Sequence, residues 1–197
     1  MLDEAVARGR QVYETIRAER AARGEAVPQL TPDEEQRIAE VVGIGAVKYA
    51  DLSQNRTSDY KFNWEKMLAM DGNTATYMQY AFVRVRGIFR KAEEDPARFR
   101  TTPIQPHLET EHERRLAMQL LRFAETLQAA AAEYKPNIIT AYLWDLARAY
   151  NVFFENCHVL KAETPVLRES RLLLCDLTSR VIECALDLLG IQTIERM

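Results

Sequence analysis

Between Gly45 and Lys91, the aromatic residues Tyr49, Tyr60, Trp64, Tyr77, Tyr80 and Phe82 are interleaved with Lys48, Arg56, Arg84, Arg86, Arg90 and Lys91. Aromatic faces stack on unpaired bases and guanidinium groups hold phosphates, so this mixture suits single-stranded RNA. Tyr77 and Tyr80 stand three apart, which on a helix turns both rings the same way to flank a base. Arg84, four beyond Tyr80, reaches a base edge or a neighbouring phosphate from that face. The plain alternative is packing. Tyrosines at helical spacing commonly fill a core, and exposed arginines commonly form a solvated face.

No bond-making constellation accompanies these residues. There is no Gly-rich phosphate cradle, no supported Ser-His-Asp order and no paired-carboxylate motif, so no catalytic residue is assigned. Cys157, Cys175 and Cys184 are odd in number and lack metal-ligand spacing, alone or with His107, His112 and His158. No metal site is expected, and the cysteines suit reduced thiols in the cytoplasm. The net charge of −3 argues against nucleic-acid binding by bulk electrostatics. Arg84 to Lys91 nevertheless holds four basic residues and no acidic one, a local basic face on an acidic chain. No apolar run could span a bilayer, and the start MLDEAVARGRQ is charged where a signal peptide needs an apolar segment. Neither a membrane nor DNA is an expected partner.

The elements that must position these side chains all read as helix, giving an all-α helical bundle with short ordered loops. A charged helix over residues 2 to 22 stops near Gly24. Thr31-Pro32-Asp33-Glu34 is a capping box with proline at the first helical position; it opens a helix towards Val42. Gly43 and Gly45 are expected to interrupt that helix before Ala46 to Leu52. Asn55 to Asn63 has no clear period and reads as an ordered loop, followed by a helical turn at Trp64 to Ala69. Asp71-Gly72-Asn73 is a turn signal, and helix resumes at Thr74 as far as about Ala92. Asp95-Pro96, Pro103 and Pro106 predict a long exposed linker. Thr110 with Glu113 caps a helix carrying Leu116, Leu120, Phe123 and Leu127. Pro136 starts another, with Ile139, Leu143, Leu146, Tyr150 and Phe153 as its stripe. Thr164-Pro165 opens the last helix, whose core face is read as Leu174, Leu177, Val181, Cys184 and Leu188, and Gly190 ends it.

Several ordered stretches resemble one family. They are Ala46-Val47-Lys48-Tyr49-Ala50-Asp51-Leu52-Ser53, Asn55-Arg56 with Asp59-Tyr60, and Gly72-Asn73-Thr74-Ala75 followed by Tyr77-Met78-Gln79-Tyr80-Ala81. Further matches are Tyr142-Leu143 with Asp145-Leu146-Ala147, Arg171-Leu172, and the ending Leu188-Leu189-Gly190 with Glu195-Arg196-Met197. In this order they resemble the class I arginyl-tRNA synthetases, where a helical anticodon-binding domain joins the catalytic domain. The resemblance implies residues 1–54 as connecting, stem-contact helices that pack under the catalytic domain, and residues 55–197 as the anticodon-binding domain. It implies arginine tRNA as partner, held by its anticodon loop with a central cytosine, and the catalytic domain of the same enzyme as the other partner.

Carried over residue by residue, the tRNA contacts are Gly72, Asn73 and Thr74 in the loop from Ala69, then Tyr77, Tyr80 and Arg84, and Met197 at the pocket edge. Ile194 to Met197 should accordingly be ordered against the helix that starts at Thr74. Lys48, Tyr49, Asn55 and Arg56 either touch tRNA or fix the joint between domains; a buried hinge of Tyr49, Asp51, Asp59 and Tyr60 without RNA is the competing reading. The HIGH-type and KMSKS-type loops of the family are absent from this chain. The resemblance therefore implies a portion of the enzyme that binds and positions tRNA but forms no bond. ATP serves the parent enzyme, and no cofactor is expected in this portion. Phe153-Phe154 departs from the family's usual Phe-Tyr, so any role of that hydroxyl is lost. A reading from another class is a helical protein-interaction module that kept the fold without the RNA; an exposed Tyr77–Tyr80 face would tell against it.

Overall fold

The computed structural model describes every residue except Glu25, Ala26, Pro28 and Met197. Helix α1 (Leu2–Ala22) buries Ala5, Gly9, Tyr13 and Ile16, one stripe at helical spacing, against α2 (Pro32–Leu52). The capping box at Thr31 forms as read: its side chain accepts from the Glu34 amide, and Glu34 accepts from the Thr31 amide at 2.8 Å. The expected interruption at Gly43 and Gly45 is absent, and α2 runs through both. A Cβ on Gly43 would stand 2.1 Å from the Ala5 carbonyl oxygen, and one on Gly9 2.4 Å from that of Ala39. These glycines are the crossing point of two helices, not breakers. Their poor helix propensity costs about 1 kcal/mol each, and the close approach they allow offsets it.

After Leu52 the chain leaves helical geometry. Asn55 organises the loop by accepting from the amide and hydroxyl of Thr57. A single turn, α3 (Trp64–Met67), is capped by Asn63. Gly72 takes φ of 81°, a left-handed conformation that glycine adopts without strain, and turns the backbone into the next helix. That helix, α4 (Ala75–Ala92), is capped by Thr74, whose hydroxyl accepts from the Tyr77 amide and donates to the Ala69 carbonyl at 2.7 Å.

The segment expected as an exposed linker contains a further turn, α5 (Arg98–Thr101). Phe99 is buried there with its ring against Phe89, and Arg98 clamps Glu169 with two bonds of 2.7 and 2.8 Å while also meeting Glu94. The helix read through Leu116 to Leu127 is two, α6 (Glu111–Leu121) and α7 (Phe123–Glu133), parted at Arg122. Then come α8 (Asn137–Asn156), with its expected stripe buried, and α9 (Pro165–Leu188), followed by Gly190 at φ of 67°.

The core face read for α9 is corrected. Leu174 is buried, but Leu177 and Val181 are only half-buried, and Cys184 and Leu188 are exposed. The helix is packed by α4 on one side and by α6 and α8 on the other, so its buried arc is wide. It takes in Leu167, Arg171, Cys175, Thr178, Ile182 and Leu186. Polar residues enter because their bonds are made locally: Thr178 donates to the Leu174 carbonyl and Ser179 to that of Asp176. A reading by hydrophobicity alone rejects that arc.

Among the described residues there are nine helices and no strand, an all-α bundle. It has two apolar cores. The larger lies among α4 and α6 to α9; the smaller joins α1 and α2 to Leu68, Val83 and Ile194. Helices α2 and α4 belong to both, since Tyr49 of α2 enters the larger core and Val83 of α4 the smaller.

Candidate nucleic-acid interface

The Thr74 cap fixes where α4 begins, and therefore where the residues one and two turns later point. Tyr77 is half-buried with its ring edge-on to Trp144 of α8, centroids 5.3 Å apart at 60°. Its hydroxyl accepts a hydrogen bond from the Asn151 amide. Burial raises the pKa of this hydroxyl, only partly opposed by Arg84 and Arg148, so it stays neutral and keeps its proton. Tyr80, also half-buried, packs beside the smaller core. The Arg84 guanidinium lies 5.0 Å from the Tyr80 ring centroid and 5.3 Å from that of Phe154, and donates to Asn151 Oδ1 at 3.0 Å. Tyr77 thus leans on α8 while Tyr80 leans towards α1 and α3. Arg84 sits among the aromatic rings as a cation held by their π faces.

On the Tyr80 side, a groove of about 430 Å³ opens between α1, α3 and α4. Trp64, Leu68, Met70 and Tyr80 supply one wall and Val12 and Ile16 of α1 the other. Arg8 covers the Trp64 ring at 5.3 Å. A slot with one aromatic wall, one aliphatic wall and both cations (Arg8, Arg23) and carboxylates (Glu19, Glu65) around it has the chemistry to take a planar, partly polar ring.

The remaining candidates divide. Gly72 and Asn73 hold the turn, with Asn73 exposed but its Oδ1 accepting from Tyr49 at 2.6 Å. Tyr49 has no exposed surface; its hydroxyl also faces the Thr140 carbonyl at 3.1 Å, and burial pushes its pKa far above the ordinary value. It ties α2 to the turn before α4 and to α8. Lys48 donates to the Gly190 carbonyl at 2.6 Å. Tyr60 is exposed and reaches Asp51 at 3.4 Å, so it belongs to no buried hinge. Asn55 and Arg56 are exposed in the loop.

The basic run is not a free face. Arg86 Nε donates to Glu195 Oε2 at 2.8 Å and Arg90 Nη1 to the Glu195 carbonyl at 3.0 Å. The chain's own tail occupies them. Ile194 is buried in the smaller core, so Ile194 and Glu195 do lie against α4 as expected; Met197 falls outside the described residues.

Residues 78–197 match the family described as the DALR anticodon binding domain. The chain belongs to that family. Residues 1–64 match a second family, the catalytic domain of class I tRNA synthetases of the arginine type. The chain is 46% identical to the arginine–tRNA ligases of Shigella dysenteriae and Escherichia coli over all 197 of its residues, which make up 32% of those proteins. It therefore spans about a third of the length of the curated relatives it matches. Among solved structures it resembles Thermus thermophilus arginyl-tRNA synthetase (TM-score 0.83, 31% identity, all of this chain on 31% of that one). It also resembles arginyl-tRNA synthetase from Plasmodium falciparum (TM-score 0.81, 28% identity, all of this chain on 33% of that one).

In this anticodon-binding domain, sequence reasoning missed the contribution of α8. Trp144 reads as packing, and Asn151 and Phe154 carry no assigned role, yet all three touch Tyr77 or Arg84. Arg148 adds a guanidinium 5.7 Å from the Trp144 ring. The signal was available: Trp144, Arg148 and Asn151 follow at helical spacing and repeat the aromatic–arginine mixture of α4. Tyr150, read as core, is fully buried.

Proposed function

We propose that the chain binds arginine tRNA by its anticodon loop and is a tRNA-positioning portion of an arginine–tRNA ligase. Gly72, Asn73, Thr74, Tyr77, Tyr80, Arg84 and Met197 are the contact residues in this reading, with exposed Asn55 and Arg56 at the margin. What carries it is the Tyr77–Tyr80–Arg84 cluster on α4, which keeps aromatic surface and a guanidinium together at the protein surface in a member of an anticodon-binding family. A flipped base meets a ring face, and Arg84 supplies charge-assisted bonds to a base edge or phosphate.

Residues 1–54 would pack under a catalytic domain and residues 55–197 would hold the anticodon loop. The contribution of this portion is binding energy and orientation of a distant 3′ end, while arginine and ATP are handled elsewhere in the ligase. The setting is cytoplasmic, and none of the described helices is long and apolar enough to cross a membrane. Alone, the chain should neither activate arginine nor charge tRNA; arginine-dependent ATP–pyrophosphate exchange above a no-protein control would overturn that part.

The binding test titrates the chain with an arginine tRNA transcript and with the same transcript changed at the middle anticodon base. Base–aromatic stacking is worth about 1–3 kcal/mol, so Tyr77→Ala or Tyr80→Ala should weaken binding roughly tenfold or more with helicity retained. Equal affinity for both transcripts refutes the reading and favours a protein-interaction module.

A further inference from the structure

Asn151 is the only side chain on α8 that hydrogen-bonds to both Tyr77 and Arg84 among the bonds of the described residues. Its two ends differ. Arginine donates and never accepts, so the end facing Arg84 Nη1 must be the carbonyl oxygen, at 3.0 Å. The NH₂ group is then forced towards Tyr77, whose phenolic oxygen accepts from it. A phenol that accepts here keeps its single proton for another partner. We propose that Asn151 is a positioning residue that holds Arg84 and fixes the Tyr77 hydroxyl as an outward-facing donor, selecting a hydrogen-bond acceptor on the RNA. On a pyrimidine the matching acceptors are a ring nitrogen or a ring carbonyl oxygen; a phosphate oxygen also fits.

The arrangement is held from several sides. Arg84 rests between the rings of Tyr80 and Phe154, and Tyr77 rests on Trp144, so neither partner swings away from Asn151 without losing a ring contact. This inference rests on the tRNA-binding reading above, and its experiment separates the two.

The variant Asn151→Asp keeps the acceptor for Arg84 and removes the donor to Tyr77. An aspartate accepts only, so it captures the Tyr77 proton and turns phenolic lone pairs outward. With the whole chain and the arginine tRNA transcript, Asn151→Asp should weaken binding about tenfold, the scale of a donor lost from a part-buried contact. The melting midpoint should hold, since Arg84 gains a charged partner. In a Tyr77→Phe background the same substitution should have no further effect. An equal loss in that background would mean simple charge repulsion of RNA and overturns the proposal, as does Asn151→Asp binding like the wild type. A wild-type chain that fails to tell the two transcripts apart instead overturns the tRNA reading, and this inference with it.

Discussion

Replacing Glu113 by glutamine tests how the α6–α9 joint is held. Glu113 has no exposed surface; Oε1 accepts from Arg171 Nε at 2.7 Å, and Oε2 accepts from the amides of Glu109 and Thr110 at 2.8 and 2.7 Å. Arg171 is 4% exposed and also binds the His158 carbonyl at 3.0 Å and Glu163 at 3.2 Å. Removing one partner of a buried pair typically costs about 3–5 kcal/mol. Glutamine still accepts from backbone amides and Glu163 still faces Arg171, so about 2–3 kcal/mol is expected, within the range of buried-network losses. For a chain of this size that lowers the melting midpoint by roughly 5–10 °C. The assay is thermal unfolding followed by helical circular dichroism. Arg171→Gln in the same background should cost less than it does alone, because the two residues share one interaction.

The pH response has a definite sign. Burial by itself raises the Glu113 pKa, but the bonds from Thr110, Arg171 and Glu109 outweigh it and hold the folded value below the ordinary 4.5. Its stabilisation is therefore complete above that value and is lost as pH falls through the lowered one. Glu113→Gln should flatten this acid limb. A midpoint unchanged to within about 1 °C would refute the account, given the shift expected per kcal/mol.

Three further outcomes follow from the geometry. Gly43→Ala should push α1 from α2, since its Cβ would meet the Ala5 carbonyl oxygen at 2.1 Å; about 1–3 kcal/mol should be lost, and an unaltered melt would refute the crossing argument. Glu195→Ala should speed amide exchange over residues 193–196 yet move the global midpoint little, because the Glu195 side chain is 59% exposed and Arg90 keeps its bond to the residue 195 carbonyl; unchanged exchange would mean that the Arg86 pair does not hold the tail. Asp176 is fully buried with neither carboxylate oxygen hydrogen-bonded; Arg180 Nη1 stands 3.6 Å from Oδ2, and burial, only partly opposed by Arg180, Arg100 and Arg86, raises the Asp176 pKa above 3.8. Its stability cost grows as pH rises through the raised value, so Asp176→Asn should equal or exceed the wild type at neutral pH, and a drop of several degrees would contradict this.

Local signals were legible wherever one residue type has one structural use. The Thr31 and Thr110 capping boxes, the Thr74 and Thr164 caps and the left-handed turns at Gly72 and Gly190 all fall where the sequence puts them. Gly43 misled because flexibility and smallness look alike in a sequence; only the Ala5 backbone above it shows which was needed. The α9 face misled because Thr178 and Ser179 satisfy their hydroxyls on their own helix and enter the core at little cost. At the candidate site the spacing puts Tyr77, Tyr80 and Arg84 on α4. The two rings do not turn the same way as expected: Tyr77 leans on Trp144 of α8 and Tyr80 towards α1 and α3, because each finds a different neighbouring helix to pack on. The coupling of Tyr77 and Arg84 through Asn151 was not readable, since that bond spans 67 and 74 residues of sequence. The basic run was readable as charge, but the pairing of Arg86 with the Glu195 carboxylate depends on where the tail returns.

That return of the tail bears on how the molecule comes apart. Gln192 is held by Arg37 of α2 through its side chain and by Gln79 of α4 through its carbonyl, 155 and 113 residues away. Lys48 grips Gly190 across 142 residues. Contacts of such span repay their loop-closure entropy only after the intervening chain is ordered, so this joint is expected to form late in folding. Once formed, this clasp joins Tyr49 and the shared helices α2 and α4 in tying the α1–α2 pair to the larger bundle, and neither can loosen without straining the other. Two hydrophobic cores should then melt as one cooperative unit, with the clasp as the first point to fray.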